Sequence, residues 1–210
     1  MSCRPLSQFQ FHSEDWDGIA RAFENSATCE LRQSWRKHLH PRFLPARVFL
    51  AWTPQALWLY AELNDLDIFN TATQLNQQTF LLGDVFEIFL HPLPGEEYFE
   101  LHVTPHNQKL QLHFSGGSKV SKDQALISAP DFFRSRVLIE APQQRWRVLT
   151  EIPALNLIGK NLEEGDQWLF SFSRYDYSHG HEKPILSSTS LHSRPNFHDR
   201  HDWDQLTFTS

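Results

Sequence analysis

The sequence predicts an all-β protein, an antiparallel β-sandwich of jelly-roll-like form with at most short helical turns. Three observations carry this. Roughly ten short runs of alternating apolar and polar residues are separated at short intervals by turn-forming Pro, Gly, Asn and Asp. The chain holds Phe 17, Trp 7 and Tyr 4, an aromatic content that favours strands over helices. The runs follow one another as neighbouring strands rather than alternating with helices, so a sandwich is expected and not a βαβ sheet. At 210 residues the chain suits one sandwich domain over 1–210, with 1–26 as an N-terminal edge segment.

The elements follow in order. Phe9 and Phe11 alternate with polar residues as a short edge strand, and the acidic stretch Ser13–Asp17 caps a helical turn over Gly18–Phe23. Ala27–Trp35 reads as a strand with Cys29, Leu31 and Gln33 on one face. Two prolines make Lys37–Pro45 a loop. Arg47–Thr53 and Leu57–Asn64 are strands around a turn at Thr53–Ala56. Asp65–Leu82 is polar and longer than an ordinary connection, and is expected to lie over one end or face of a sheet.

Gly83–Pro105 is the central hairpin. Phe86, Ile88 and Leu90 point one way and Val85, Glu87, Phe89 and His91 the other. On the return run Phe99, Leu101 and Val103 are apolar, and Tyr98, Glu100, His102 and Thr104 are mixed. Aligning the apolar faces sets Leu90 opposite Phe99, Phe86 opposite Val103 and Glu87 opposite His102. The acid and the imidazole are then expected to emerge together towards solvent.

Lys109–Phe114 alternates, with Leu110, Leu112 and Phe114 buried, and Ser115–Gly117 turns the chain before an irregular stretch over 118–133. Ser135–Glu140 and Trp146–Ile152 form another hairpin, and Pro153–Ile158 a helical turn ending near Gly159. Gln167–Tyr175 is a strand, His179–Arg200 a long histidine-bearing loop, and Asp202–Thr209 the closing strand.

Composition narrows the function. A formal charge of −6 with no basic stripe argues against a nucleic-acid partner. No apolar run is long enough to span a bilayer, and the first residues lack the apolar core of a secretion signal. Cys3 and Cys29 form no CxxC pair and read as free thiols of a reducing compartment, so the expected location is cytoplasmic. Nucleotide-binding glycine loops and nucleophile elbows are absent from the sequence.

The order of the pieces from 47 to 208 resembles family 9 carbohydrate-binding modules and the wider DOMON-like sandwiches. The matching pieces are Leu57–Asp65 ending in an acid, the polar loop 66–82, Gly83–Leu90 with Asp84 and Glu87, and Tyr98–Pro105. Trp146 through Pro153, Gly165 with Trp168, Arg174-Tyr175 and the closing strand around Leu206 and Phe208 follow. The resemblance implies two antiparallel sheets and a non-catalytic module that holds a sugar or glycan end on the polar face of the central hairpin. It places Asp65, Phe80, Glu87, His102 and Arg174 in the ligand site, and structural calcium at Asp65 and Asp84. The family's binders carry Trp where Phe80 stands. They carry a second Trp before the last strand, where this chain has only Phe197 among non-histidine rings. Some DOMON domains bind haem through Met and His, but the only methionine here is Met1.

The residue types suit a sugar. Pyranose C–H faces pack on rings, and hydroxyls need carboxylate acceptors and Arg or His donors. Two alternatives remain: a glycoside hydrolase using Glu87, or a scaffold module that has lost the sugar site. The pairs His179-x-His181 and His198-x-x-His201, with Asp199 and Asp202, have metal-ligand chemistry but no helix to set their spacing, so they read as solvated loop residues.

Overall fold

The computed structural model describes residues 1–6, 11–115 and 125–210. Phe9 and the turn at Gly116 and Gly117 lie outside them. The elements are β1 (Ser2–Cys3), α1 (Trp16–Ala22), β2 (Ala27–Glu30), β3 (Ala46–Thr53), β4 (Ala56–Asn64), β5 (Val85–Pro92), β6 (Tyr98–Val103) and β7 (Lys109–Phe114). They continue with β8 (Arg134–Glu140), β9 (Arg145–Pro153), α2 (Ala154–Ile158), β10 (Gln167–Asp176), β11 (Ile185–Ser188) and β12 (Asp204–Phe208). Two sheets face each other as a β-sandwich. The first runs β1-β12-β10-β5-β6-β7, with β11 also on β10, and the second runs β2-β3-β4-β9-β8. Every pairing between these strands is antiparallel except β1 with β12.

Alternation explains the core. Phe86, Ile88 and Leu90 of β5, Phe99, Leu101 and Val103 of β6, and Trp168, Phe170 and Phe172 of β10 meet Val48, Leu50, Leu57, Leu59, Trp146 and Val148 from the second sheet. Each fully buried aliphatic or aromatic side chain contributes about 1.5–3 kcal/mol relative to exposure, so these rows fix the register. Glu87 pairs with His102 and Phe86 with Val103, as the apolar alignment requires.

Both outer faces are also covered. The second sheet carries α1, whose Trp16 and Ile19 pack with Phe23 on Ala51, Trp58, Tyr60 and Leu149. Asp15 caps this helix by accepting from the Gly18 N–H at 2.8 Å. Across the first sheet lie a loop from the 65–84 connection and the segment between β11 and β12. Three expectations change. Leu110 and Leu112 of β7 are buried, but on the outer face opposite His102 and Glu100, under Phe80 and Ala125 rather than in the sandwich core. The strand expected over Ala27–Trp35 stops at Glu30, although Cys29, Leu31 and Gln33 are all buried. The loop expected over His179–Arg200 contains β11.

Candidate functional site

Glu87, Glu100 and His102 meet on the outer face of the first sheet. The cross-strand pairing brings Glu87 to His102, and the period of two places Glu100 on the same side. The His102 imidazole Nε2 lies 2.8 Å from a Glu100 oxygen and 3.4 Å from a Glu87 oxygen. Its Nδ1 is 2.8 Å from the Thr79 hydroxyl. The pair does not emerge into solvent as alternation suggested: Glu87 is 2% exposed and His102 0%. The reason is the 65–84 connection, whose 3₁₀ turn Thr79–Leu81 sets Thr79 and the Phe80 ring over His102, with ring centroids 6.1 Å apart. The Tyr177 hydroxyl pins that turn by donating to the Phe80 carbonyl at 2.7 Å.

A row of rings runs beside this group. Phe80 lies 6.2 Å from Tyr175, Tyr175 6.0 Å from Phe197, and Phe197 6.0 Å from Trp35, measured between centroids. Phe80, Tyr175 and Trp35 are half-buried, so each keeps an accessible edge or face. Trp35 and Leu186 also line a cavity of about 270 Å³ rimmed by Arg36, His40, Arg42 and Lys183. Loss of solvent, then the charges of Arg36, Arg42 and His181, lowers the His40 pKa. The rim is therefore rich in donors.

Asp65, Asp84 and Arg174 fall elsewhere. Arg174 pairs with Phe86 across β10 and β5, so it points to the core side while Glu87 and His102 point outward. Its guanidinium donates to the Asn64 carbonyl at 2.6 Å and to Asp65 at 3.0 Å, with Asp176 at 3.3 Å. Asp84 accepts from the Phe69 and Tyr177 N–H groups, each at 2.7 Å, joining the connection, β5 and the end of β10. Burial, then the charge of Asp65, pushes the Asp84 carboxyl up to about 8. Burial likewise raises Asp176 to about 6, against the pull of Arg174. Oxygens of Asp65, Asp84 and Asp176 lie within 4.8 Å of one another. Burial thus favours the protonated form of Asp84 and Asp176, and an all-oxygen set of this kind suits a hard cation such as calcium, whose charge would displace those protons.

Sequence reasoning therefore reached the two halves of the arrangement but treated them as one site. It overlooked Thr79, Trp35 and Asp176. Glu100 was readable as a neighbour of His102 on one face. Trp35 carried no local signal, because its place depends on closure against Phe197 far along the chain.

No protein-family model matches the sequence, and neither does any curated protein. Solved structures do match in fold. A putative carbohydrate-binding protein from Bacteroides uniformis superposes with a TM-score of 0.73 at 15% identity, over 99% of this chain and 98% of that one. A family 9 carbohydrate-binding module from Caldicellulosiruptor kristjanssonii, in complex with cellotriose, gives 0.65 at 13% identity over 100% and 93%. A family 9 module from the same organism in complex with glucose gives 0.67 at 14% over 100% and 95%. The chain thus has, over its whole length, the β-sandwich fold of the family 9 carbohydrate-binding modules.

Proposed function

We propose that this protein is a non-catalytic saccharide-binding module whose ligand lies on the outer face of the first sheet. The observation that carries the reading is the ring row Phe80–Tyr175–Phe197–Trp35, which runs beside the carboxylates of Glu87 and Glu100 and the imidazole of His102. Rings offer stacking surface for a pyranose, the basic rim offers donors for its hydroxyls, and the acids beneath Thr79 and Phe80 become acceptors once that cover shifts. The fold supports the same direction, since two of its structural neighbours are sugar complexes. Trp35 takes the platform role for which Phe197, at 4% exposure, has little free surface. Asp65 and Arg174 shape the end of the sandwich from its core side, and Asp65, Asp84 and Asp176 are the residues that would hold calcium there.

Calorimetric titration with glucose, cello-oligosaccharides and a wider glycan set, with and without calcium, tests this. Saturable binding is expected, weakened about tenfold in Trp35→Ala, equivalent to about 1.4 kcal/mol. Silence across the set would remove the proposal. One observation favours a second reading. Thr79 and Phe80 cover His102, which suits an interaction module whose sugar site is closed. That reading expects no saccharide binding by the whole chain, and no gain when Phe80→Ala uncovers the acids.

A further inference from the structure

Two imidazoles converge on one carboxylate. His102 Nε2 lies 2.8 Å from one oxygen of Glu100, and His198 Nε2 lies 3.7 Å from the other. The remaining nitrogen of each ring faces a hydroxyl: His102 Nδ1 is 2.8 Å from Thr79 Oγ1, and His198 Nδ1 is 3.2 Å from the Tyr98 phenol. A hydroxyl that fixes Nδ1 leaves Nε2 directed inward, the arrangement that outer partners impose on metal-binding histidines. Glu87 completes the group, 3.4 Å from the His102 nitrogen, and the nearest ligand atoms of Glu87, Glu100 and His102 fit within 4.8 Å. Ligands about 2.0–2.1 Å from a tetrahedral zinc stand about 3.3 Å apart. The His102 Nε2 spacings to Glu100 and Glu87, 2.8 and 3.4 Å, bracket that value, while His198 approaches the other Glu100 oxygen from the solvent side.

We propose that Glu87, Glu100 and His102, with His198 as the closing ligand, bind one divalent transition-metal ion such as zinc. Mixed imidazole and carboxylate donors select such an ion over calcium, which prefers oxygen alone. His102 binds through a neutral Nε2, its Nδ1–H donating to Thr79. His198 is exposed and supplies the path of entry from solvent. The site does not rest on saccharide binding.

The full chain, stripped with a chelator, is titrated with zinc chloride by calorimetry, and with cobalt(II) chloride by visible absorption. One ion per chain is expected at micromolar or tighter affinity, with a raised Tm and a cobalt band showing low coordination number. Glu100→Gln keeps the shape of the side chain and should weaken binding at least tenfold. Thr79→Val should cost about tenfold through the outer partner. His181→Ala, on the surface, should change nothing. His102→Ala should abolish the band, and if it does not fold, Glu100→Gln decides. The proposal falls if binding is non-saturable, if Glu100→Gln binds as the parent does, or if His181→Ala removes the ion. Saccharide titration of the same stripped protein is scored separately, so neither result stands in for the other.

Discussion

Asp84 accepts two backbone N–H donors and yet holds its proton up to about pH 8, because burial and the charge of Asp65 outweigh those bonds. Its folded pKa lies above the usual carboxylate value, so between about pH 4 and 8 the folded chain retains a proton that the unfolded chain releases. The stability this gives is full below the unfolded value and is lost as pH rises through the folded one. Asp176, raised to about 6, acts in the same direction over the lower part of that window. The Tm should therefore fall between pH 5 and 8.5, and Asp84→Asn should flatten the fall. The variant should also be less stable than the parent at pH 5, by about 1–3 kcal/mol, because an amide nitrogen cannot accept one of the two N–H groups. Parallel Tm curves for parent and variant across this range would refute the assignment. Calcium, if it binds the three carboxylates, displaces the proton and should raise the Tm more at pH 8 than at pH 5. At this scale the pairing of Glu87 with His102 was legible, since apolar rows fix which residues face each other. Their burial was not. Alternation tells which side of a strand a residue takes, and is silent about what a distant loop lays over that side.

The connection between β4 and β5 is the element that converts a solvent face into a closed one. Gly83 is its hinge to β5. With φ of 138° it occupies backbone space that favours glycine, and a Cβ there would sit 2.5 Å from the Phe69 carbonyl oxygen and 2.7 Å from the Asn70 Cα. Asn70 bridges to Gly83, and its side-chain amide donates to the Thr79 and Asp84 carbonyls, each at 3.0 Å. Gly83→Ala must therefore push the connection away from the sheet. We expect a loss of about 2–3 kcal/mol in denaturant unfolding, together with faster amide exchange over Phe69–Thr79. An unchanged midpoint would show that the connection is not held this way. The same element explains why Leu110 and Leu112 misled the placement though not the burial, while Phe114 is only half-buried: the connection and Ala125 supply a second apolar layer outside the sandwich. β11 escaped notice because Ile185–Ser188 is a short stretch ending in two serines, with no alternation to mark it, and gains its ladder only by pairing with β10.

One core joins the two sheets, and the first six residues stitch them at one end. β1 runs parallel to β12 in the first sheet, and then Leu6 donates to the Trp52 carbonyl at 2.7 Å while the Trp52 N–H donates to Arg4 at 3.2 Å in the second. The Trp52 indole donates to the Thr209 carbonyl at 3.0 Å, and Thr209 N–H to the Cys3 carbonyl at 2.9 Å, so the two chain ends share one seam. Cys3, with no exposed surface, fills the core beside it, and its burial pushes the thiol up to about 12. Deleting residues 1–6 removes these backbone bonds, each worth about 0.5–1.5 kcal/mol net, and opens the Trp52–Phe208 contact, whose centroids are 5.5 Å apart. A cost of about 3–5 kcal/mol follows, which for a chain of this size lowers the Tm on the order of 10 °C. Because strands of both sheets bury their apolar faces in the same core, the loss should reach both together. Tryptophan fluorescence and far-ultraviolet circular dichroism should report one shared, lowered transition. Two separate transitions, or a truncated chain as stable as the parent, would mean that the sheets hold without the seam.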